Sequence, residues 1–179
     1  MESAMGLFAT LPVDEVTVQD IATSVDMTPA AVYYHFASKE QILVEGMRQF
    51  SDAFLEQVRT DETLTIRELF ESLIDWTQQQ KTPASVYFVT STGLNLMVEA
   101  LRRETRIELV DALRERVRDN NRASSAAEAG VLAVGLVSLL ETSLASMLNQ
   151  DAAFRSLGIR RFTDEVGAFA ERVLGQPVG

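Results

Sequence analysis

The segment Val16–Leu43, VTVQDIATSVDMTPAAVYYHFASKEQIL, constrains the fold more than any other part of the chain. Thr17 followed by Asp20 has the shape of a capping box, in which the hydroxyl accepts from an orphan backbone N–H at a helix start. Val18, Ile21, Ala22 and Val25 then recur at helical spacing and give a short apolar face. Thr28-Pro29 restarts the chain, since Thr is a good N-cap and proline suits a first helical position whose N–H would be unpaired anyway. Ala30–Phe36 forms a second helix with Val32 and Phe36 facing inward. Ser38 with Gln41 reads as a further capping box opening a helix that carries Ile42, Leu43, Met47 and Phe50. Three caps within the 22 positions from Thr17 to Ser38 rule out a single long helix. Two short helices joined by a tight turn make a helix-turn-helix, whose second helix can lie in a DNA major groove.

The tail of this segment, Tyr33-Tyr34-His35-Phe36-Ala37-Ser38-Lys39-Glu40, resembles the TetR family of bacterial transcriptional regulators. Val32, Tyr33, His35, Phe36, Lys39, Glu40 and Leu43 match that family's pattern, as do Leu7-Phe8, Thr17-Val18 and Ile21-Ala22 upstream. The resemblance covers roughly Ala4–Val44. It implies an all-α protein of about nine helices: a three-helix DNA-binding head, residues 1–46, on a larger ligand-binding and dimerisation body, residues 47–179. It also implies that Tyr33, Tyr34, His35 and Lys39 contact the DNA backbone or bases, with Thr17 beside them. Thr28, Pro29, Ala30 and Ala31 would face base edges, where alanine and proline meet only thymine methyls. For Phe36, packing against the first helix is the preferred reading.

The departures from the family pattern are specific. Asp26 stands where a turn glycine is usual, and Asp visits the left-handed region more readily than most residues. Ala30 replaces a second frequent glycine inside the recognition helix, which favours helix formation. The chain starts Met1-Glu2-Ser3-Ala4, without the basic arm expected there. Across residues 1–50, seven acids (Glu2, Asp14, Glu15, Asp20, Asp26, Glu40, Glu45) face only Lys39 and Arg48, a net charge of −5 and half of the chain's −10. Duplex binding normally draws on Lys and Arg that displace condensed counterions. Phosphate contacts must therefore come mainly from hydroxyls, backbone N–H groups and helix N-termini. Weak or strongly salt-sensitive DNA binding is the expectation.

Helix signals continue to the end of the chain. The fourth helix is expected over about Lys39–Arg59, crossing from head to body, followed by Thr65–Gln80. Pro83–Arg103 and Glu104–Arg122 follow as two helices or one bent one, then Ser124–Asn149, a loop over Gln150–Gly158, and a closing helix Ile159–Leu174. The 124–149 segment is apolar nearly all round, and a helix of that kind must be buried on all sides. Val134, Val137, Leu140 and Leu144 on it, with Phe162, Val166 and Phe169 in heptad-like steps on the last helix, read as a homodimer interface; the same spacing fits an intramolecular core. Leu73, Trp76, Tyr87, Phe88, Ser91, Leu94 and Asn95 mix aromatic surface with scattered polar groups, as a small-molecule pocket does; taken singly, each also suits an ordinary core.

Composition narrows the classes further. The chain has no cysteine, hence no disulfide or thiolate site, which fits a reducing cytoplasm. The longest uncharged apolar run, Ala129–Leu140, has 12 residues, too short to span a bilayer, and no segment reads as a signal peptide. Seven of the 16 basic residues lie between Arg102 and Arg122, interleaved with Glu99, Glu104, Glu108, Asp111, Glu115 and Asp119 at pairing distance, the pattern of a solvated ion-paired face. No enzyme, metal site or cofactor is expected: the only histidine lies in the DNA motif and no phosphate loop occurs. The expected partners are a double-stranded palindromic operator, a small-molecule effector and a second copy of the chain, with no membrane. The expected function is a TetR-like regulator, most often a repressor in that family. The alternative is a TetR-like interaction or ligand-sequestering protein that has lost DNA binding.

Overall fold

A computed structural model describes residues 1–119, 123 and 125–175; these form nine α-helices and no strand. Helices α1 (Glu2–Thr10), α2 (Val18–Ser24) and α3 (Pro29–His35) pack around the start of α4 (Lys39–Thr60). The body adds α5 (Ile66–Gln79), α6 (Lys81–Ser85), one π-helical turn (Val86–Thr90), α7 (Leu96–Asp119), α8 (Ala126–Asn149) and α9 (Ala152–Leu174). α7 lies along α8, and α5 along α9. The buried core runs without a gap from Phe8 and Leu43 in the head, through Met47 and Phe54 on α4, to Phe70, Leu113 and Leu140 in the body. Burial of each such side chain contributes about 1.5–3 kcal/mol.

The predicted caps form. Thr17 accepts from the Asp20 N–H while the Asp20 carboxylate accepts from the Thr17 N–H, and Thr65 and Glu68 repeat that box at α5. Thr28 caps α3 with Pro29 at its first position. Ser38 caps α4, but its box is displaced by one residue: the Gln41 side chain accepts from the Ala37 N–H rather than from Ser38. Asp26 holds φ 53° in the turn between α2 and α3, the left-handed conformation expected of it.

Three boundaries differ from the sequence reading. The expected division between Arg103 and Glu104 falls inside α7, and the chain breaks instead at Ser91–Asn95. Gly93 takes φ 74° there, and the Asn95 side chain accepts from the Val98 N–H at the start of α7. The loop expected over Gln150–Gly158 is mostly helix. Asp151 caps α9 by accepting from the Phe154 N–H, Phe154 packs edge-on against Phe162, and Gly158 absorbs a bend at φ 69°. Lys81 and Thr82, left between the expected helices Thr65–Gln80 and Pro83–Arg103, lie within α6, and the interruption falls at Gln80.

The structure also places α8 differently from an all-round buried helix. By length and composition it is apolar enough to cross a membrane, with 24 residues and mean hydropathy 1.9, although its longest uncharged apolar run is short. One face, with Ala133, Leu136, Val137, Leu140 and Leu144, is fully buried in this chain, while Val131 and Val134 are exposed.

Hydrogen bonds hold the Asp20, Glu68 and Asp151 carboxyls below their ordinary values of 3.8, 4.5 and 3.8. A carboxyl lowered in the folded state adds stability above its unfolded value and loses it as pH falls through the folded one. Melting temperature should therefore stay level from pH 7 towards 5 and decline below about 4. The double variant Asp20→Asn, Glu68→Gln should melt lower at pH 7 and show a flatter acid limb by circular dichroism.

Candidate DNA-binding face and ligand groove

The second helix of the helix-turn-helix presents a compact exposed face. Tyr34 is 86% exposed and Tyr33 55%, with Thr28, Ala30 and His35 also exposed. Pro29 and Ala31 are half-buried, and Val32 turns into the core. Phe36 is partly buried against that core, as expected. The Tyr34 and His35 rings meet edge to face at 5.1 Å, which holds both side chains at the C-terminal end of α3. The Thr17 and Thr28 hydroxyls sit at the N-termini of α2 and α3, where each accepts a backbone N–H.

Lys39 departs from its expected role. Its Nζ donates to the carbonyls of Val13, Asp14 and Val16 at 2.8, 3.0 and 2.9 Å. An ammonium has three hydrogens, so this set occupies all of them. Lys39 joins the α1–α2 loop to the first residue of α4 and acts as a positioning residue; its charge is directed inward, away from a phosphate. The surrounding surface carries the exposed acids Asp14, Glu15, Asp20 and Asp26.

Of the expected pocket residues, all but Trp76 lie outside the two grooves described below. Leu73, Tyr87 and Phe88 are buried, and Tyr87, Phe88 and Trp76 pack with Phe50 and Phe54 into one aromatic cluster at centroid distances of 4.9–6.0 Å. Ser91 is buried with its hydroxyl donating to the Tyr87 carbonyl, Leu94 is half-buried, and Asn95 caps α7. Arg102 donates to the same Tyr87 carbonyl and lies 5.2 Å from the centre of its ring. Desolvation pushes the Tyr87 phenol up, so it stays protonated at neutral pH. These residues support the core because periodicity marks a buried face without saying what fills the space against it.

A groove of about 680 Å³ opens elsewhere, between α1, α4, α5 and α6, and Trp76 alone of the expected residues lines it. Met5, Gly46, Phe50 and Ala53 form other parts of its wall. No sequence signal marked it, since α1 and α4 are brought against the consecutive helices α5 and α6 only by tertiary packing. A second groove, about 620 Å³, lies between α4 and α7 and is lined by the pair Arg59–Glu108 and by Arg116.

Residues 1–45 match the family model described as bacterial regulatory proteins, tetR family. Over that head the chain is similar to the TetR family. The fold agrees over nearly the whole length. The Bacillus subtilis transcriptional regulator FadR, solved with stearoyl-CoA, superposes with TM-score 0.77 at 13% identity, covering 97% of this chain and 95% of that one. Salmonella enterica GusR gives 0.75 at 17% identity, covering 98% and 93%. A Saccharomonospora viridis transcriptional regulator in complex with choline gives 0.69 at 20%, covering 96% and 91%. At these identities the likeness carries the fold alone. No curated protein sequence matches the chain.

The packing of the body bears on the predicted interface. Val137, Leu140, Leu144, Phe162 and Val166 are buried within this chain, because α7 covers α8 and α5 covers the seam of α9. Val134 and Phe169 remain exposed at 46% and 47%, with Val131 beside Val134 at 73%. The ion pairs of α7 run both along it and across to its neighbours: Arg102 with Glu99 and Arg114 with Asp111 within the helix, Arg106 with Glu141 on α8, and Glu104 and Glu108 with Arg48 and Arg59 on α4. Arg122 lies outside the described residues.

Replacing Lys39 by Met keeps the aliphatic stem and removes the three donors. That should destabilise the protein by about 1–2 kcal/mol, discounted for partial exposure. Urea unfolding of Lys39→Met against wild type checks this; an unchanged midpoint would show the staple to be idle.

Proposed function

We propose that this TetR-family regulator binds a palindromic operator as a homodimer and that a small molecule shifts its DNA affinity, most simply as a repressor acting in the cytoplasm. The observation that carries the reading is α3. It is the second helix of a helix-turn-helix, it follows a left-handed turn at Asp26, and it exposes Tyr33, Tyr34 and His35 together. Thr17, Thr28, Pro29, Ala30 and Ala31 complete the face that meets the duplex. The functional division falls at residue 46, inside continuous α4, so the body (47–179) and the head (1–46) share one helix. Movement of α4 is then the natural route by which an effector changes the spacing of two recognition helices. Only a ligand with unequal affinity for the two states produces such a shift.

Two copies are needed to read half-sites about 34–36 Å apart. The exposed apolar face Val131, Val134 and Phe169 on α8 and α9 supports a pairing surface there. Because Lys39 is committed internally, few cations are left to displace counterions. The logarithmic salt dependence loses about 0.9 for each phosphate left unneutralised. A shallow slope is therefore favoured over strong salt sensitivity.

Selection of bound fragments from a random duplex pool should enrich a palindrome. Tyr34→Ala, at a site too exposed to affect folding, should weaken the selected duplex about 5- to 100-fold with the salt slope unchanged. No enrichment at low salt would count against the regulator reading and favour a protein that has lost DNA binding. Separately, Val131→Glu with Phe169→Glu should halve the mass seen by sedimentation equilibrium. A dimer surviving both changes would place the pairing surface elsewhere.

A further inference from the structure

We propose that α3 reads its half-site through the C5-methyl groups of pyrimidines, so that the operator presents thymine to Ala30 and Tyr34, and 5-methylcytosine takes the place of thymine there. The inference rests on the reading that the chain binds a palindromic duplex, and it assigns a chemistry to the bases contacted. In a helix-turn-helix the second helix lies in the major groove with its side chains against base edges. Here that helix is Pro29-Ala30-Ala31-Val32-Tyr33-Tyr34-His35, which holds no Lys, Arg, Asn, Gln, Asp or Glu. Val32 is buried, and Pro29 and Ala31 are half-buried. Ala30, Tyr33 and Tyr34 are exposed at spacings that share one side of a helix. His35 ends the helix with its ring packed edge-on against Tyr34.

Each base pair shows the major groove a distinct set of groups. Guanine O6 and N7 suit Arg or Lys, adenine N6 and N7 suit Asn or Gln, and cytosine N4 suits Asp or Glu. None of these side chains stands on α3. The only Lys and Arg of residues 1–50 are engaged elsewhere: Lys39 on three carbonyls, and Arg48 with Glu104 of α7. Gln19 lies on α2, the helix that crosses the backbone in such a pair, and its amide donates to the Thr23 hydroxyl. Asp26 lies in the turn, outside the helix. The Thr28 hydroxyl accepts from the Ala31 N–H; a hydroxyl, there or on tyrosine, both donates and accepts and so discriminates little between bases. What α3 offers a base edge is therefore the Ala30 methyl and the tyrosine rings. The apolar group that meets them in the major groove is the C5-methyl of thymine. Cytosine methylated at C5 carries that group at the same ring position.

The experiment takes the palindrome selected by the full-length protein and rebuilds it by synthesis, changing one position at a time in both half-sites. Deoxyuridine in place of thymine removes only the methyl. Cytosine paired with guanine exchanges the whole base pair, and 5-methylcytosine paired with guanine puts the methyl back. Affinities are read by fluorescence anisotropy at one salt concentration. Deoxyuridine at a contacted thymine should weaken binding about 10- to 20-fold, one buried methyl being lost from each half-site. 5-Methylcytosine should bind about tenfold tighter than cytosine at that position. Ala30→Gly removes the partner methyl and Tyr34→Ala the partner ring, and in one of the two the deoxyuridine penalty should shrink to about twofold or less. That penalty is a ratio within one variant, so the stability lost by glycine in a helix leaves it readable.

Deoxyuridine bound as tightly as thymine at every position of a selected palindrome would overturn the proposal and leave the regulator reading intact. So would a half-site indifferent to methyl groups but weakened when 7-deazaguanine replaces guanine, since N7 would then be read by a donor. A deoxyuridine penalty unchanged in both variants would also overturn it, by placing the reader on another element. Failure to select any duplex, even at low salt, would remove the regulator reading itself and the methyl assignment with it.

Discussion

The structure depends on α4 being held at both ends by a cation that donates to three carbonyl oxygens, half-buried at Lys39 and buried at Arg116. At its N-terminus Lys39 donates to Val13, Asp14 and Val16. At its C-terminus the Arg116 guanidinium, reaching from α7, donates to the carbonyls of Val58, Asp61 and Leu64. Both sets satisfy backbone groups that neither helix nor sheet would otherwise pair. Between these fixed points α4 contributes Leu43, Met47, Phe50 and Phe54 to a core shared by head and body. Fastened in this way, α4 ties the core of the head to that of the body.

The same economy of cations shapes recognition. Most non-specific DNA affinity comes from counterion release by Lys and Arg. A head with net charge −5 whose single motif lysine is turned inward has little of that background. On the proposed reading, what is left to meet a duplex is the exposed end of α3, hydroxyls and helix N-termini, all of which depend on register against it. Such a protein gains less affinity for arbitrary sequence than a basic relative would, and its ratio of specific to non-specific binding rises accordingly.

The helix starts were legible in the chain because a cap is a local device. Thr17 with Asp20, Thr28 with Pro29 and Thr65 with Glu68 act on residues within four positions of themselves. The break at Ser91–Asn95 also had a local signal, Gly93 followed by a capping Asn95, which the apolar run on either side obscured. Other features were not local. The partners of Lys39 lie 23–26 residues upstream, so its spacing in the motif cannot show where its ammonium points. Apolar periodicity in α8 and α9 identified faces that are buried, but whether a neighbouring helix or a second chain covers them is decided by tertiary packing. The groove was invisible for the same reason, being a space left between four helices.

The π-helical turn at Val86–Thr90 has a consequence for the length of the chain. The Ser91 N–H reaches back to the Val86 carbonyl, five residues, and the Thr90 hydroxyl donates to the Phe8 carbonyl of α1. A π turn accommodates one more residue than an α turn, and one residue corresponds to about 100° of rotation in a helix. Loss of any single residue from this turn would restore α-helical bonding locally and rotate one flank against the other. Thr90 would then face away from α1, and Tyr87 and Phe88 would leave the aromatic cluster. The number of residues between α5 and α7 is thus fixed more tightly than their identity, and substitutions are easier to absorb there than deletions.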